Sequence, residues 1–326
     1  MNLLGIDIGG TKTAVCIGGE RGEIKASRRL AMRAHEPFEA YVVRLAELCR
    51  AVLEEARLAA GEVAAAGISA PGPMDLKKGI LIAPPNNPGW RDAPIVAAVE
   101  QALGRPVFFN NDANACALAE MYFGSHKGRR NLVYLTFSTG MGGGIIVNGE
   151  LVQGATDTGG EVGHQVLDPN GPVCGCGQRG CWEAYVGGRM VAERLKDRLR
   201  DGTVKSSILA KAGGDLEKIT MRTLELAVRE NDPVALAEWD RLLERLAQGI
   251  GNLIMVLNPD VVVLGTIAIH APDLVMPPLH EKLKKYTWKW PLAACEVVPS
   301  ALGGKIGDLA ALAVALTGLK GAGRRS

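Results

Sequence analysis

LLGIDIGGTKTAVCIGGERGEI, residues 3–24, runs an apolar strand into a glycine turn, a second apolar strand, a tight polar turn and a third strand. Residues 132–153, LVYLTFSTGMGGGIIVNGELVQ, repeat that plan, with Asn148-Gly149 as a favoured two-residue hairpin turn. Helical segments follow each copy, so the expected fold is α/β, a duplicated domain with a cleft between the halves. Outward from the first copy, Phe38, Val42, Leu45, Leu48, Val52 and Leu53 recur at helical spacing over about 38–60. A buried strand is expected at 64–69, a short helix at about 94–103 and a strand at 107–110. Beyond the second copy, helices are expected at 187–200, about 233–257 and 307–318, with a buried strand at 261–265.

With 326 residues, 47% of them hydrophobic and 22% charged, the chain is long enough for two cores of ordinary size. The net charge of +2 comes from interleaved acids and bases, which marks no face for nucleic acid or membrane, and Arg324 and Arg325 read as a solvated tail. No apolar stretch nears the ~20 residues of a membrane-spanning helix. The first residues enter a strand without a leader, and Cys16, Cys49, Cys116 and Cys295 sit alone in apolar contexts as reduced core residues do. A cytoplasmic protein is expected.

The other three cysteines differ. In EVGHQVLDPNGPVCGCGQRGCWEAY, His164, Cys174, Cys176 and Cys181 are flanked by Gly, Pro, Gln and Arg, a setting unlike that of packing cysteines. Either they form a Cys3His site for a tetrahedral Zn2+ or they are loop cysteines with no metal role. Four ligands leave no open position, so the metal would be structural, with chemistry on neighbouring carboxylates such as Glu161 and Glu183.

The two glycine turns are candidate phosphate cradles. Gly9 and Gly10 let backbone N–H groups approach an anion, Thr11 adds a hydroxyl, Lys12 adds charge, and Asp7 could hold Mg2+ through water. Thr139 and Gly140 repeat the device without a lysine. Each turn leads into another strand, which excludes the P-loop and dinucleotide fingerprints and leaves a plain hairpin as the alternative. Asn110-Asn111-Asp112 falls where a strand ends and a helix begins, a place that suits either a helix cap or a catalytic carboxylate.

Taken together, LGIDIGGTK, NNDANA, STGMGGGIIVNGELVQG, GEVGH and CGCGQRGCWE resemble the ROK family, and its sugar kinases most, over nearly the whole chain. The resemblance implies two RNase H-like domains of the actin-like ATPase superfold around a central cleft. These would be residues 1–115 with a closing helix at about 305–320, and residues 116–304 with the zinc loop. It implies phosphoryl transfer from ATP with Mg2+ to the C6 hydroxyl of a hexose, and a homodimer or homotetramer. Asp112 becomes the general base and Asn111 a ligand of a neighbouring hydroxyl. Glu161, His164 and Glu183 bind ring hydroxyls, His164 with its second nitrogen on zinc. Asn87, in a segment similar to the PN-x-PGW of the family's glucokinases, and the turn Ser69 to Gly72 point to glucose or a close relative. Asp7, Gly9, Gly10, Thr11, Lys12, Thr139, Gly140 and Gly265 would hold the nucleotide and its phosphates.

The chain departs from the family pattern at Ser138 and Thr266, where glycine is usual, and at Gly304 and Lys305, where acids are usual. The donor is therefore open between ATP and polyphosphate. The acceptor is open between glucose and fructose, allose, N-acetylmannosamine or N-acetylglucosamine. Strand 3–7 leaves no room for the extra DNA-binding domain of the family's repressors. A non-catalytic sugar-binding regulator stays as the alternative outside the enzymes.

Overall fold

The computed structural model describes residues 1–33, 35–84 and 87–323, so the expected tail Arg324-Arg325 lies outside the described residues. The chain divides into two compact units, one of Met1–Arg130, Gly144–Gly159 and Ala301–Ser326, the other of Asn131–Gly143 and Gly160–Ser300. Among the described residues no helix is long and apolar enough to cross a membrane.

In the first unit, β1 (Asn2–Ile8), β2 (Lys12–Gly19) and β3 (Ile24–Ala31) form an antiparallel meander, and β4 (Val63–Ala70) continues the sheet parallel to β1. After the small hairpin of β5 (Met74–Asp75) and β6 (Ile80–Leu81), β7 (Val107–Asn111) completes the sheet in the order β3-β2-β1-β4-β7. Leu4, Ile6 and Ile8 alternate onto one face, where they pack with Tyr41, Leu45, Cys49 and Val52 of α1 (Phe38–Glu55) and with Ile95 and Val99 of α2 (Ile95–Leu103). The helix expected over 38–60 stops at Glu55 because Arg57 turns to φ +55°, and a single 3-10 turn, Ala60–Glu62, leads into β4.

The opposite face of the sheet is covered by the closing helix, Ile306–Gly323. The two surfaces nearly touch at Gly67, where an added β-carbon would run into the backbone of Ala311 and Ala315. Leu309 to Leu316 are buried without a break, as in a helix that has no solvent face. The third helix, α3 (Asp112–Phe123), packs on this closing helix, and its Ala113 and Ala117 approach Gly144. The boundary expected at 115/116 falls within α3, which packs on the closing helix and lies whole in the first unit.

The second sheet has the order β10-β9-β8-β11-β12, built from β8 (Leu132–Phe137), β9 (Met141–Val147), β10 (Glu150–Leu151), β11 (Val261–Leu264) and β12 (Glu296–Pro299). It repeats the first: a reversed run of three followed by two parallel additions. Asn148 and Gly149 both have positive φ, +55° and +81°, as the type I′ hairpin requires. The helix expected at 187–200 is α5 (Gly188–Leu199), preceded across Gly187 by the short α4 (Trp182–Val186). Next come α6 (Ser207–Lys211), α7 (Met221–Arg229) and the long α8 (Pro233–Leu257), which Asp232 caps at Ala235 N, 2.9 Å, with proline at the first position. Helices α9 (Ile267–His270), α10 (Pro272–Leu283) and α11 (Lys289–Ala294) separate β11 from β12.

Candidate functional site

The expected site residues fall into two groups, one in each unit. In the first, Asp7 stands at the end of β1, and the turn beyond it is closed by a bond from Gly9 N to Lys12 O, 2.9 Å. Thr11 and Lys12 are exposed. Ser69, at the end of the neighbouring parallel strand, donates to Asp7 Oδ1 at 3.1 Å, so this hydroxyl links the turn of Ser69 to Gly72 with the acid that precedes the Gly9-Gly10 turn. A β-carbon at Gly307 would collide with Asp7 Oδ2. Burial pushes Asp7 up to about 6; the charges of Asp112 and Asp308 add to the rise, against Ser69 and Lys12. Asp308, an acid that the sequence reading passed over, is itself buried, accepts from Ser27 Oγ at 3.1 Å and lies 3.9 Å from Arg29. A buried carboxylate with two further acids near it suits a hard cation such as Mg2+, which takes one or two carboxylates and completes its shell with phosphates and water.

The folded chain holds the Asp7 proton more tightly than the unfolded chain, whose aspartate ionises near 3.8. Stability therefore falls as pH rises from about 4 to about 6, and the ionised, desolvated carboxylate stays destabilising above that. Asp7→Asn is expected to stabilise the ligand-free protein at pH 7.5 by up to about 3 kcal/mol and to leave it unchanged at pH 4. Urea unfolding at the two pH values checks this; an equal gain at both would assign it to something other than the charge.

Asp112 is the first residue of α3. Asn111 is the helix cap: its Oδ1 accepts from Ala113 N at 2.9 Å and Asn114 N at 3.4 Å. The cap and the candidate base are thus adjacent residues, each with its own task. Asp112 accepts from Ala113 N at 2.8 Å through one oxygen, keeps accessible surface, and has its pKa raised by the protein around it. A carboxylate ringed by protein and open on one side has the makings of a base. Asn87 is buried in the loop before α2, where its carbonyl accepts from Trp90 N at 2.9 Å.

In the second unit, one ligand atom each from His164, Cys174, Cys176 and Cys181 lies within 4.8 Å of all the others. Cys176 Sγ lies 3.7 Å from Cys181 Sγ, and Cys174 Sγ lies 3.8 Å from His164 Nδ1. A tetrahedron with Zn–S near 2.3 Å has edges of about 3.8 Å, so the donor set and its spacing fit zinc. Burial, then the neighbouring sulfurs, push Cys181 up to about 12, a cost that a bound cation would reverse. Since His164 turns Nδ1 to the sulfurs, Nε2 is directed away, 4.0 Å from Glu161 Oε2. The loop is anchored by Trp182, which follows Cys181 and lies flat on Gly249 of α8, where any side chain would strike the indole.

Glu183 Oε2 accepts from Met141 N at 2.9 Å, and Oε1 lies 3.7 Å from Cys174 Sγ. The expected sugar ligand is therefore also a brace between the metal loop and the glycine turn. That turn is held a second time: Ser138 O and Thr139 O accept from Gly188 N and Arg189 N at the start of α5, 2.8 and 3.0 Å. Gly265 N donates to Leu135 O at 2.7 Å, and Gly265 has no room for a β-carbon beside Tyr134 Oη.

The sequence matches the ROK family over residues 3–317. It is 35% identical to the glucokinase of Thermotoga maritima over 317 residues, 96% of this chain and 97% of that protein. The structure superposes on the ROK hexokinase of Thermus thermophilus with a TM-score of 0.84 at 33% identity, covering 98% of this chain and all of the other. A ROK glucokinase from Streptomyces griseus, solved with glucose and AMPPNP, superposes with a TM-score of 0.78 at 31% identity over 97% of this chain and 100% of that one.

Proposed function

This chain belongs to the ROK family, and from that premise we propose that it is a glucokinase, transferring the γ-phosphate of ATP to the C6 hydroxyl of glucose. The observation that carries the proposal is Asp112: a carboxylate with a raised pKa and an open side, fixed at the first turn of α3 beside a capping asparagine. It takes the proton of the C6 hydroxyl as the sugar oxygen bonds to the γ-phosphorus and the bond to the ADP oxygen breaks. The Streptomyces griseus relative, solved with glucose and AMPPNP, supports both ligands. The matching strand orders of the two sheets support two RNase H-like halves.

Asp7, with Thr11 and Lys12 on the adjoining turn, serves the phosphates in this reading, and Thr139, Gly140 and Gly265 of the other unit serve the nucleotide. A divalent cation bound near Asp7 would neutralise phosphate charge. Zinc on the Cys3His set would fix the loop geometry, so that His164 Nε2, Glu161 and Glu183 meet the sugar hydroxyls in defined directions. Carboxylates suit this task because each accepts from two hydroxyls, and a site built so rejects analogues lacking a hydroxyl by roughly 10^4. We also infer a homodimer or homotetramer, supported by Trp288 and Trp290, each 68% exposed, with Trp288 N on the sulfur of the exposed Met255.

The test is ADP release with Mg-ATP, and separately phosphate transfer from polyphosphate, against glucose, mannose, fructose, allose and the two N-acetylhexosamines. Turnover with ATP is expected on glucose above all others. A chain that turns over none of them with either donor is not a kinase, and equilibrium binding of the same sugars would then identify a regulator.

A further inference from the structure

The backbone of the second unit holds a residue that should not be comfortable where it is. Thr266, between the end of β11 and the start of α9, has φ +43° and ψ −107°. Left-handed φ is rare for any residue with a β-carbon and rarest for a β-branched one, and such a conformation persists only where the surroundings enforce it. Here the side chain does the enforcing. Its Oγ1 accepts from Phe137 N at 3.1 Å and donates to Phe137 O at 2.9 Å, engaging both polar groups of a single backbone residue.

Phe137 is the last residue of β8, and Ser138, Thr139 and Gly140 follow it directly. β8 and β11 are parallel neighbours, so Phe137 and Thr266 lie at the carboxyl edge of the sheet, the edge where open α/β sheets bind ligands. The turn beyond Phe137 is held on its far side by Gly188 N and Arg189 N, and the corner at Thr266 starts α9 by accepting from Ile269 N at 2.9 Å. One hydroxyl therefore ties the glycine turn to the β11–α9 corner. A glycine at 266 would adopt the same φ freely but would leave Phe137 N and O without that partner.

Building on the kinase reading, we propose that Thr266 is a positioning residue for the nucleotide: its hydroxyl clasp on Phe137 sets the spacing between the Ser138–Gly140 turn and Gly265, and with it the affinity for ATP. The backbone strain at Thr266 is the cost of that spacing. Of the sugar-facing residues of the same unit, Glu183 also touches this turn through Met141 N, but its Oε1 lies against Cys174 of the cysteine loop and Trp182 anchors that loop on α8, so the larger effect falls on the nucleotide.

The experiment compares the wild-type chain with Thr266→Val, Thr266→Ser and Thr266→Gly. KM for ATP is measured at saturating glucose, KM for glucose at saturating ATP, and affinity for a fluorescent ATP analogue without sugar. Thr266→Val, which keeps the branch and loses the hydroxyl, and Thr266→Gly, which also relieves the strain, are each expected to weaken nucleotide binding about 10-fold, the loss of one or two hydrogen bonds. KM for glucose stays within two-fold, on the order of the scatter between unrelated surface variants. Thr266→Ser restores nucleotide affinity, and Thr266→Gly melts no lower than wild type. Wild-type nucleotide affinity in the valine or glycine variant overturns the proposal. So does a parallel rise of both KM values with a fall in melting temperature, which marks a structural role only. Wild-type protein that binds the ATP analogue without phosphorylating sugar overturns the kinase reading yet leaves the comparison of affinities readable; wild-type protein that binds no nucleotide overturns both.

Discussion

Replacing Asp112 by asparagine lowers kcat for glucose phosphorylation by about 10^2 to 10^4-fold, the usual contribution of a positioned general base, while glucose still binds. The substitution is conservative where the structure needs it to be. An asparagine oxygen can accept from Ala113 N as Asp112 Oδ1 does at 2.8 Å, and the cap on α3 comes from Asn111, so the helix start is kept. Only the capacity to take a proton is lost. Calorimetric titration with glucose beside ADP-release kinetics separates the two; near-normal kcat would remove Asp112 from the chemistry. The pH profile carries the same information. Because burial raises the Asp112 pKa, kcat/KM of the wild-type enzyme falls as pH drops through that raised value, at a higher pH than a free aspartate near 3.9 would give. The residual activity of the asparagine variant lacks this acid limb.

The second large effect is expected at the metal loop. Cys181 is fully buried, pairs with Val166 as an isolated bridge and precedes the anchoring Trp182. Cys181→Ser is expected to abolish zinc retention, from one equivalent per chain to none by elemental analysis, and to weaken glucose binding about 10 to 100-fold, the range found when groups orienting a site are lost. The chain links explain the size: without the metal, His164 Nδ1 and Cys174 Sγ lose their common partner, and Cys174 Sγ is the neighbour that lies 3.7 Å from Glu183 Oε1. Cys49→Ala, in the core of the other unit, is the control, expected to lower stability with zinc and sugar affinity intact. Wild-type protein that is free of zinc as purified and fully active would refute the structural-metal assignment.

The internal repeat was legible because both copies carry the same alternation of apolar runs and glycine turns, and the two sheets have corresponding strand orders. The Cys3His set was legible as a candidate metal site because its cysteines fall among Gly, Pro and Arg, and the structure brings its four ligand atoms within 4.8 Å of one another. What stayed hidden is tertiary. The helices α6, α9 and α11 are only five, four and six residues long, too short to show a periodic stripe, and their stability comes from neighbours. Nothing local announces that Asp308, in an alanine-rich helix, faces Asp7, or that Ser69 donates to it. Glu183 was visible as an acid after a cysteine, but its bond to Met141 N joins residues 42 apart in sequence. Thr266 was visible only as a departure from glycine; its clasp on a residue 129 positions earlier was not.

The closing helix has a consequence for synthesis. A ribosome delivers β1 well before the helix that covers it, about 300 residues later, with the second unit in between. Until Leu309 to Leu316 emerge, one face of the first sheet, including the bare backbone at Gly67, has no cover, whereas all the segments of the second unit have by then left the ribosome. The unit that starts the chain is therefore the one that must finish folding last, and truncations near residue 305 should yield a chain that chaperones retain rather than a smaller soluble kinase.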